Sequence, residues 1–177
     1  MSQTGNLAEL HVYRYDDGAF RNDAGGALQS FPEVLADLHA YWRSRCKGLP
    51  FPARADIDPV DIPSLLEHLM LLDVLRDPLD FRYRLIGGHI VEHSRRNVQG
   101  MTVRGLIAEG SEQAQALQEK ALMVGEALAD SQAPVFIDLS YRGADGKSRK
   151  RLQGLMLPLG EPGQSINMVL GGLSYLE

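Results

Sequence analysis

The sequence predicts an α+β domain: a five-stranded antiparallel sheet with a helical layer on one face and a helix N-terminal to it. Three features predict this. Residues 69–86 read as a strand, a tight turn and a second strand. Residues 135–173 read as three further strands joined by turns. Residues 87–134, between the two sets, are mostly helical in pattern. Strands lying either side of a helical stretch close into one sheet most economically when those helices pack across its face.

In chain order, residues 1–30 are the least patterned. His11-Val12-Tyr13-Arg14-Tyr15 has the makings of a short strand, Asp16-Asp17-Gly18 of a turn, and Asn22–Gly26 has loop composition. That composition favours a mobile arm over an edge strand or a segment docked on a partner. Pro32 suits the first turn of a helix. Val34, Leu35, Leu38, Tyr41, Trp42 and Arg45 then recur at three- and four-residue spacing as far as Lys47-Gly48. Trp42, the only tryptophan, is expected to anchor a core or an interface. Cys46 reads as a small buried hydrophobe rather than a reactive thiol. Two prolines hold Leu49–Pro52 extended. Asp56, Asp58 and Asp61 are expected to cap short helical turns, with Arg54 bridging segments, rather than to collect a metal.

Leu69–Val74 is an apolar run broken by Asp73, and Asp77-Pro78-Leu79-Asp80 is turn chemistry. Phe81–Ile86 alternates, with Phe81, Tyr83 and Leu85 on one face and Arg82 and Arg84 on the other. Gly87-Gly88 leads into a short helix over His89–Arg96, and Thr102 or Ser111 caps the next helical stretch. From Ser111 an apolar stripe of Ala114, Leu117, Ala121, Leu122, Val124, Leu128 and Ala129 marks the longest helix. Val135–Arg142 alternates, and Gly143-Ala144-Asp145-Gly146 is a hairpin turn with the favoured Asp-Gly pair. Residues 149–159 and 165–173 supply the last two strands. The organisation expected is an N-terminal arm (1–30) and one domain (31–177), divided into a helical leader (31–68) and a core (69–177).

Composition excludes several classes. The net charge of −5 argues against a dedicated nucleic-acid binder, which needs a basic surface. No apolar stretch approaches the roughly 20 residues of a membrane helix, so no membrane partner is expected. The first residues lack a basic start and an apolar core, so they are no signal peptide, and the cytoplasm is the expected location. One cysteine excludes an internal disulfide and a cysteine-rich zinc site.

The order of elements, with particular residues, resembles a bacterial group of PAS-type sensory domains that carry a helical leader. The residues that carry the resemblance are Trp42 and Arg45, Pro52–Pro59, Leu65-Leu66, Leu71–Val74, Phe81–Gly87 and Gly100. It spans about Phe31 to Leu173. The chain departs from the group at Gly88, where a hydroxyl residue is usual, and in Arg96–Gly100, where an acidic residue usually precedes the glycine. The resemblance implies a PAS fold and a sensory or signalling module without catalysis. A small molecule, or none, would lie between the sheet and the helical layer, and two copies would associate through the leader helix. On that reading Tyr83, Arg84, His89, His93 and Phe136 are the candidate ligand-binding residues. Leu35, Leu38 and Trp42 are the candidate homodimer interface. The other class of function is a pure interaction module whose core is filled by its own side chains. No cofactor is named by the sequence, and no attached kinase, cyclase or DNA-binding segment is read, so the partner expected is a separate signalling protein.

His89-Ile90-Val91-Glu92-His93 matches H-x-x-E-H, a zinc metallopeptidase signature, and places two histidines on one helix face. No later acidic residue stands in a third-ligand motif, so surface histidines are the expected role. Asp138–Gly143 fits half of a cyclic-di-GMP pattern whose arginine half is absent. Gly87-Gly88 lacks the dinucleotide-binding frame. Arg142, Lys147, Arg149, Lys150 and Arg151 crowd one hairpin and read as a solvated turn. Arg84 is expected to pair across strands with Asp73 unless it faces a ligand.

Overall fold

The computed structural model describes residues 8–110, 112–143 and 145–176. Residues 1–7 of the expected arm, Ser111 as a helix cap and Ala144 of the hairpin turn lie outside them. The first element is a strand, β1 (Ala8–Asp16), followed by β2 (Ala19–Arg21), the helix α1 (Glu33–Cys46) and three single 3₁₀ turns at Arg54–Asp56, Pro59–Asp61 and Leu66–His68. Then come β3 (Leu69–Leu75), β4 (Asp80–Ile86), α2 (Gly88–Ser94), α3 (Val103–Glu109) and α4 (Glu112–Ser131). The chain closes with β5 (Val135–Arg142), β6 (Arg149–Leu159) and β7 (Met168–Leu176).

All strands join one antiparallel sheet in the order β2-β1-β5-β6-β7-β3-β4. The two sheet-forming regions meet at β3 and β7, where Leu69 faces Gly172 and Leu72 faces Val169. The sheet has seven strands rather than the five expected. The two additional strands come from the segment read as an arm. β1 pairs along β5 from Ala8 opposite Tyr141 to Arg14 opposite Val135. Asp17 and Gly18 turn the chain into β2 with φ of 47° and 82°, the left-handed pair that a two-residue hairpin requires.

Both faces of this sheet are covered. On one, α1 lays its apolar stripe over β6 and β7, with Leu35, Leu38 and Trp42 all buried. Gly172 makes the approach possible: a Cβ there would sit 2.6 Å from Leu38 Cδ2. The Trp42 indole N–H donates to the carbonyl of Pro158 at 3.0 Å, so its one polar atom is satisfied where the ring is buried. Phe20, Phe31 and Phe136 pack beside His39 in an aromatic cluster that continues this layer. The leader residues brace it from outside. Tyr41 accepts the backbone N–H of Asp58 and donates to Asp61, which also takes the Arg45 guanidinium. Asp56 and Asp58 cap their turns, receiving the N–H groups of Ala53 and Val60, and Arg54 donates to the carbonyl of Ile57.

The opposite face carries α2, α3 and α4. Thr102 caps α3 by accepting the N–H of Gly105. α4 crosses the sheet, touching β1, β4, β5 and β6, and closes the layer.

Candidate functional site

Between the sheet and the α2–α4 layer lies a cavity of about 510 Å³. Its floor is the sheet face made by alternate residues: Ile137, Leu139 and Tyr141 of β5, Leu152 and Met156 of β6, and Phe81 and Tyr83 of β4. Its roof is α4, whose Ala114, Leu117, Gln118, Ala121, Val124 and Gly125 recur at helical spacing. Ile90 of α2 and Val103 and Leu106 of α3 close the side. The innermost of these side chains are buried, and almost all are apolar.

One polar pair stands inside. The buried Tyr83 hydroxyl donates to Gln118 Oε1 at 3.1 Å, joining floor to roof. Burial, with Asp80 adding and the Gln118 bond opposing, pushes the Tyr83 phenol up to about 12, so it stays a neutral hydroxyl at any ordinary pH. Tyr175 and Tyr141, also in the lining, are raised in the same direction, chiefly by burial. Toward the open end the lining changes character. Arg95 and Arg96 follow α2, Lys120 stands on α4, and Arg142 and Lys150 flank the β5–β6 turn.

Of the residues singled out from sequence, Tyr83 and His93 line the cavity. His89 does not; its ring is wedged between His68 and His93, with ring centres 4.6 and 4.2 Å away. His93 in turn stacks on Tyr175 at 4.1 Å, and its Nδ1 lies 2.9 Å from the carbonyl oxygen of His89. The two histidines of H-x-x-E-H thus share a helix face, as the spacing requires, and use it for ring packing. Among the described residues no three His, Cys, Asp or Glu side chains are placed to hold a metal ion.

Arg84 is a correction: its side chain is 58% exposed, outside the cavity, and its Nε donates to Asp73 Oδ1 at 3.0 Å in the expected cross-strand ion pair. Phe136 is another. It lies fully buried on the α1 side of the sheet, because alternation sends it opposite Val135 and Ile137. Leu35, Leu38 and Trp42 are a third. Their side chains are buried against the protomer's own sheet and leave no surface for a second copy. Cys46, half-buried at the end of α1, is far from the cavity in the fold, and burial pushes its thiol up.

Sequence reasoning misses Gln118, although the signal is present: it falls on the arc between Ala114, Leu117 and Ala121, the one polar residue on that stripe. Lys150 reads from sequence only as part of a solvated turn. The pleat separates it from its neighbours, for Arg149 pairs with Glu9 and Arg151 with Asp138 on the other face.

A family model of the PAS domain matches residues 31–174. Among solved structures, the chain is similar to an RNA-binding light-oxygen-voltage receptor at 12% identity and a TM-score of 0.47, covering 95% of this chain and 38% of that one. It is also similar to a fungal LOV-domain photoreceptor at 16% identity and a TM-score of 0.44, covering 82% and 92%. The chain thus spans well under half of the first structure's length. No curated protein matches the sequence. Among the described residues no helix is long and apolar enough to cross a membrane. With four-fifths of its length matched by one family model, the chain belongs to the PAS domain family.

Proposed function

We propose that this chain is a non-catalytic sensory module whose input is the occupancy of the cavity between the sheet and the α2–α4 layer by a small, largely apolar molecule. The observation that carries this is the cavity itself, about 510 Å³ with predominantly apolar walls. That volume lies within the range of about 300–1,000 Å³ that small-molecule sites occupy. The cavity is open at one end, and apolar walls that face water carry a cost in free energy. An apolar occupant removes that cost. A pure interaction module with a core filled by its own side chains accounts less well for such a space.

The absence of catalysis is supported by the polar groups at hand. Tyr83 is held neutral and bonded to Gln118, and the histidines are engaged with one another and with Tyr175. The output passes by contact to a separate signalling protein in the cytoplasm, and any homodimer uses a surface other than the apolar stripe of α1.

Native mass spectrometry of the purified full chain tests the reading, with a bound compound released on denaturation as the expected result. Ala121→Phe, which fills the roof of the cavity, abolishes that adduct. Ligand binding also slows hydrogen exchange in α2 and α3 more than in α1. A purified protein that carries no compound, together with Ala121→Phe folding less stably than the parent because the added ring overpacks the core, would favour the filled interaction module instead.

A further inference from the structure

We propose that the occupant is a single-chain amphiphile with an anionic head, carboxylate or phosphate, its chain among the aliphatic walls and its head at the open end. This rests on the ligand-sensor reading and adds the class of ligand. The supporting observation is a juxtaposition of charge that no single stretch of sequence displays. Arg95 and Arg96 from the end of α2, Lys120 from α4, and Arg142 and Lys150 from the β5–β6 hairpin all line one cavity. Against these five cations, the carboxylate among the described lining residues is Asp145. It accepts the N–H groups of Lys147 and Ser148 and the Ser148 hydroxyl at 2.9 Å each, and its charge also acts on Lys150, so positive charge stays in excess around the opening without being wholly unopposed.

The chain as a whole carries −5, so this excess of positive charge is local rather than part of a basic surface. It also has a direction. Arg95, Arg96 and Arg142 are exposed and Lys120 and Lys150 half-buried, whereas Leu72, Val124, Leu128, Ile137 and Leu152 are buried. The cations therefore mark the open end and the aliphatic side chains the deep end. A neutral molecule would make no use of the positive charge at the opening. A nucleotide would press its polar base against aliphatic walls that offer few partners. An alkyl chain with an anionic head meets both ends of the cavity at once.

The test compares decanol, decanoate, decyl phosphate and decyltrimethylammonium binding to the full chain by calorimetry, at low and high salt. Decanoate or decyl phosphate is expected to bind about tenfold tighter than decanol, an advantage that high salt erodes. Which of the two binds tighter identifies the head. Within the acids, each added methylene tightens binding about fourfold. The ratio of acid to alcohol affinity falls close to one in the Lys120→Gln/Lys150→Gln variant, and the salt series on the parent chain answers the same question if that variant folds poorly. Equal binding of decanol and both anions, insensitive to salt, would overturn the anionic head while leaving the apolar site standing. Failure of all four probes, with no compound on the purified protein, would overturn the ligand site itself.

Discussion

Gly125→Ala sets two effects of similar size against each other. Gly125 is on α4 where the helix passes over β4, and a Cβ built there would lie 2.2 Å from Phe81 Cε2 and 2.4 Å from Cζ. Replacing glycine by alanine inside a helix is worth about 1 kcal/mol in helix propensity. Forcing a methyl into a packed site costs about 1–3 kcal/mol. Phe81 is 2% exposed, so its ring has one direction of retreat, which is the cavity it lines. That retreat keeps the overpacking in the middle of its range, and the variant is expected to lose about 1 kcal/mol net, or about 2–4 °C in Tm for a chain of this size. On the proposed ligand-sensor reading, the displaced ring also takes ligand space, so affinity falls with stability. Urea melts of the parent, Gly125→Ala, Phe81→Leu and the double variant supply the assay. With the ring removed, Gly125→Ala should stabilise by up to about 1 kcal/mol, giving a coupling of about 2 kcal/mol between the two sites. If Gly125→Ala stabilises both backgrounds equally, α4 does not approach β4 as described and the roof of the cavity is misplaced.

Three other perturbations separate the layers. Burial, reinforced by Arg43, lowers the His39 pKa from 6.5 to about 4, so as pH falls the unfolded chain takes up the proton first. Stability from His39 is whole above pH 6.5 and is lost as pH falls toward 4; the gap is worth about 3 kcal/mol at most, and solvent at the half-buried ring reduces it to about 1–2 kcal/mol. His39→Phe should flatten urea stability between pH 7 and pH 5 by about that amount. Trp42→Ala should cost about 3–5 kcal/mol in a denaturation experiment, by deleting a buried indole and orphaning the Pro158 carbonyl, while folded protein sediments as the parent does. An altered oligomer with an intact Tm would contradict the placement of α1. Asp138, held below the usual carboxylate range first by its bond from Arg151, should show a coupling of about 0.5–1 kcal/mol with Arg151 in an Asp138→Asn and Arg151→Gln cycle. Its contribution fades only below the ordinary carboxylate pKa, clear of the His39 window.

What the sequence made legible was local. The β3–β4 and β5–β6 hairpins announce themselves by alternation and turn chemistry within a dozen or so residues, and the stripe of α4 predicts which of its residues face the sheet. β1 was obscure because its ladder is to β5, far along the chain, and its own apolar residues are diluted by Glu9, His11 and Arg14. Its one clear mark, Asp17-Gly18, is a hairpin signal whose second strand is only three residues long. Phe136 shows a different limit. Alternation divides β5 into two faces without saying which one meets a cavity, and with helices on both sides each face is apolar. The stripe of Leu35, Leu38 and Trp42 likewise announces burial and leaves open whether the cover is the same chain or a second copy.

On the proposed reading, the two halves of the molecule divide the work that sensing requires. The α1 side is dry and continuous: Leu35, Leu38, Phe136, Leu155 and Leu157 are fully buried there or in the sheet beneath, and the Trp42 bond to Pro158 pins helix to strand. The other side is built from helices that cannot stand alone. α2 and α3 have seven residues each, below the length at which an isolated helix persists in water, and bury only Ile90 and the pair Val103 and Leu106. Their stability is borrowed from α4 and from whatever fills the space beneath them. An occupant that binds the folded state raises its stability by mass action, and the gain falls on the elements with the least of their own. Because Tyr175 and His93 line the cavity while His89 and His68 carry the same ring packing out to the turn before β3, the proposed sensor is expected to register a change in occupancy on α2 and at the start of the sheet before α1.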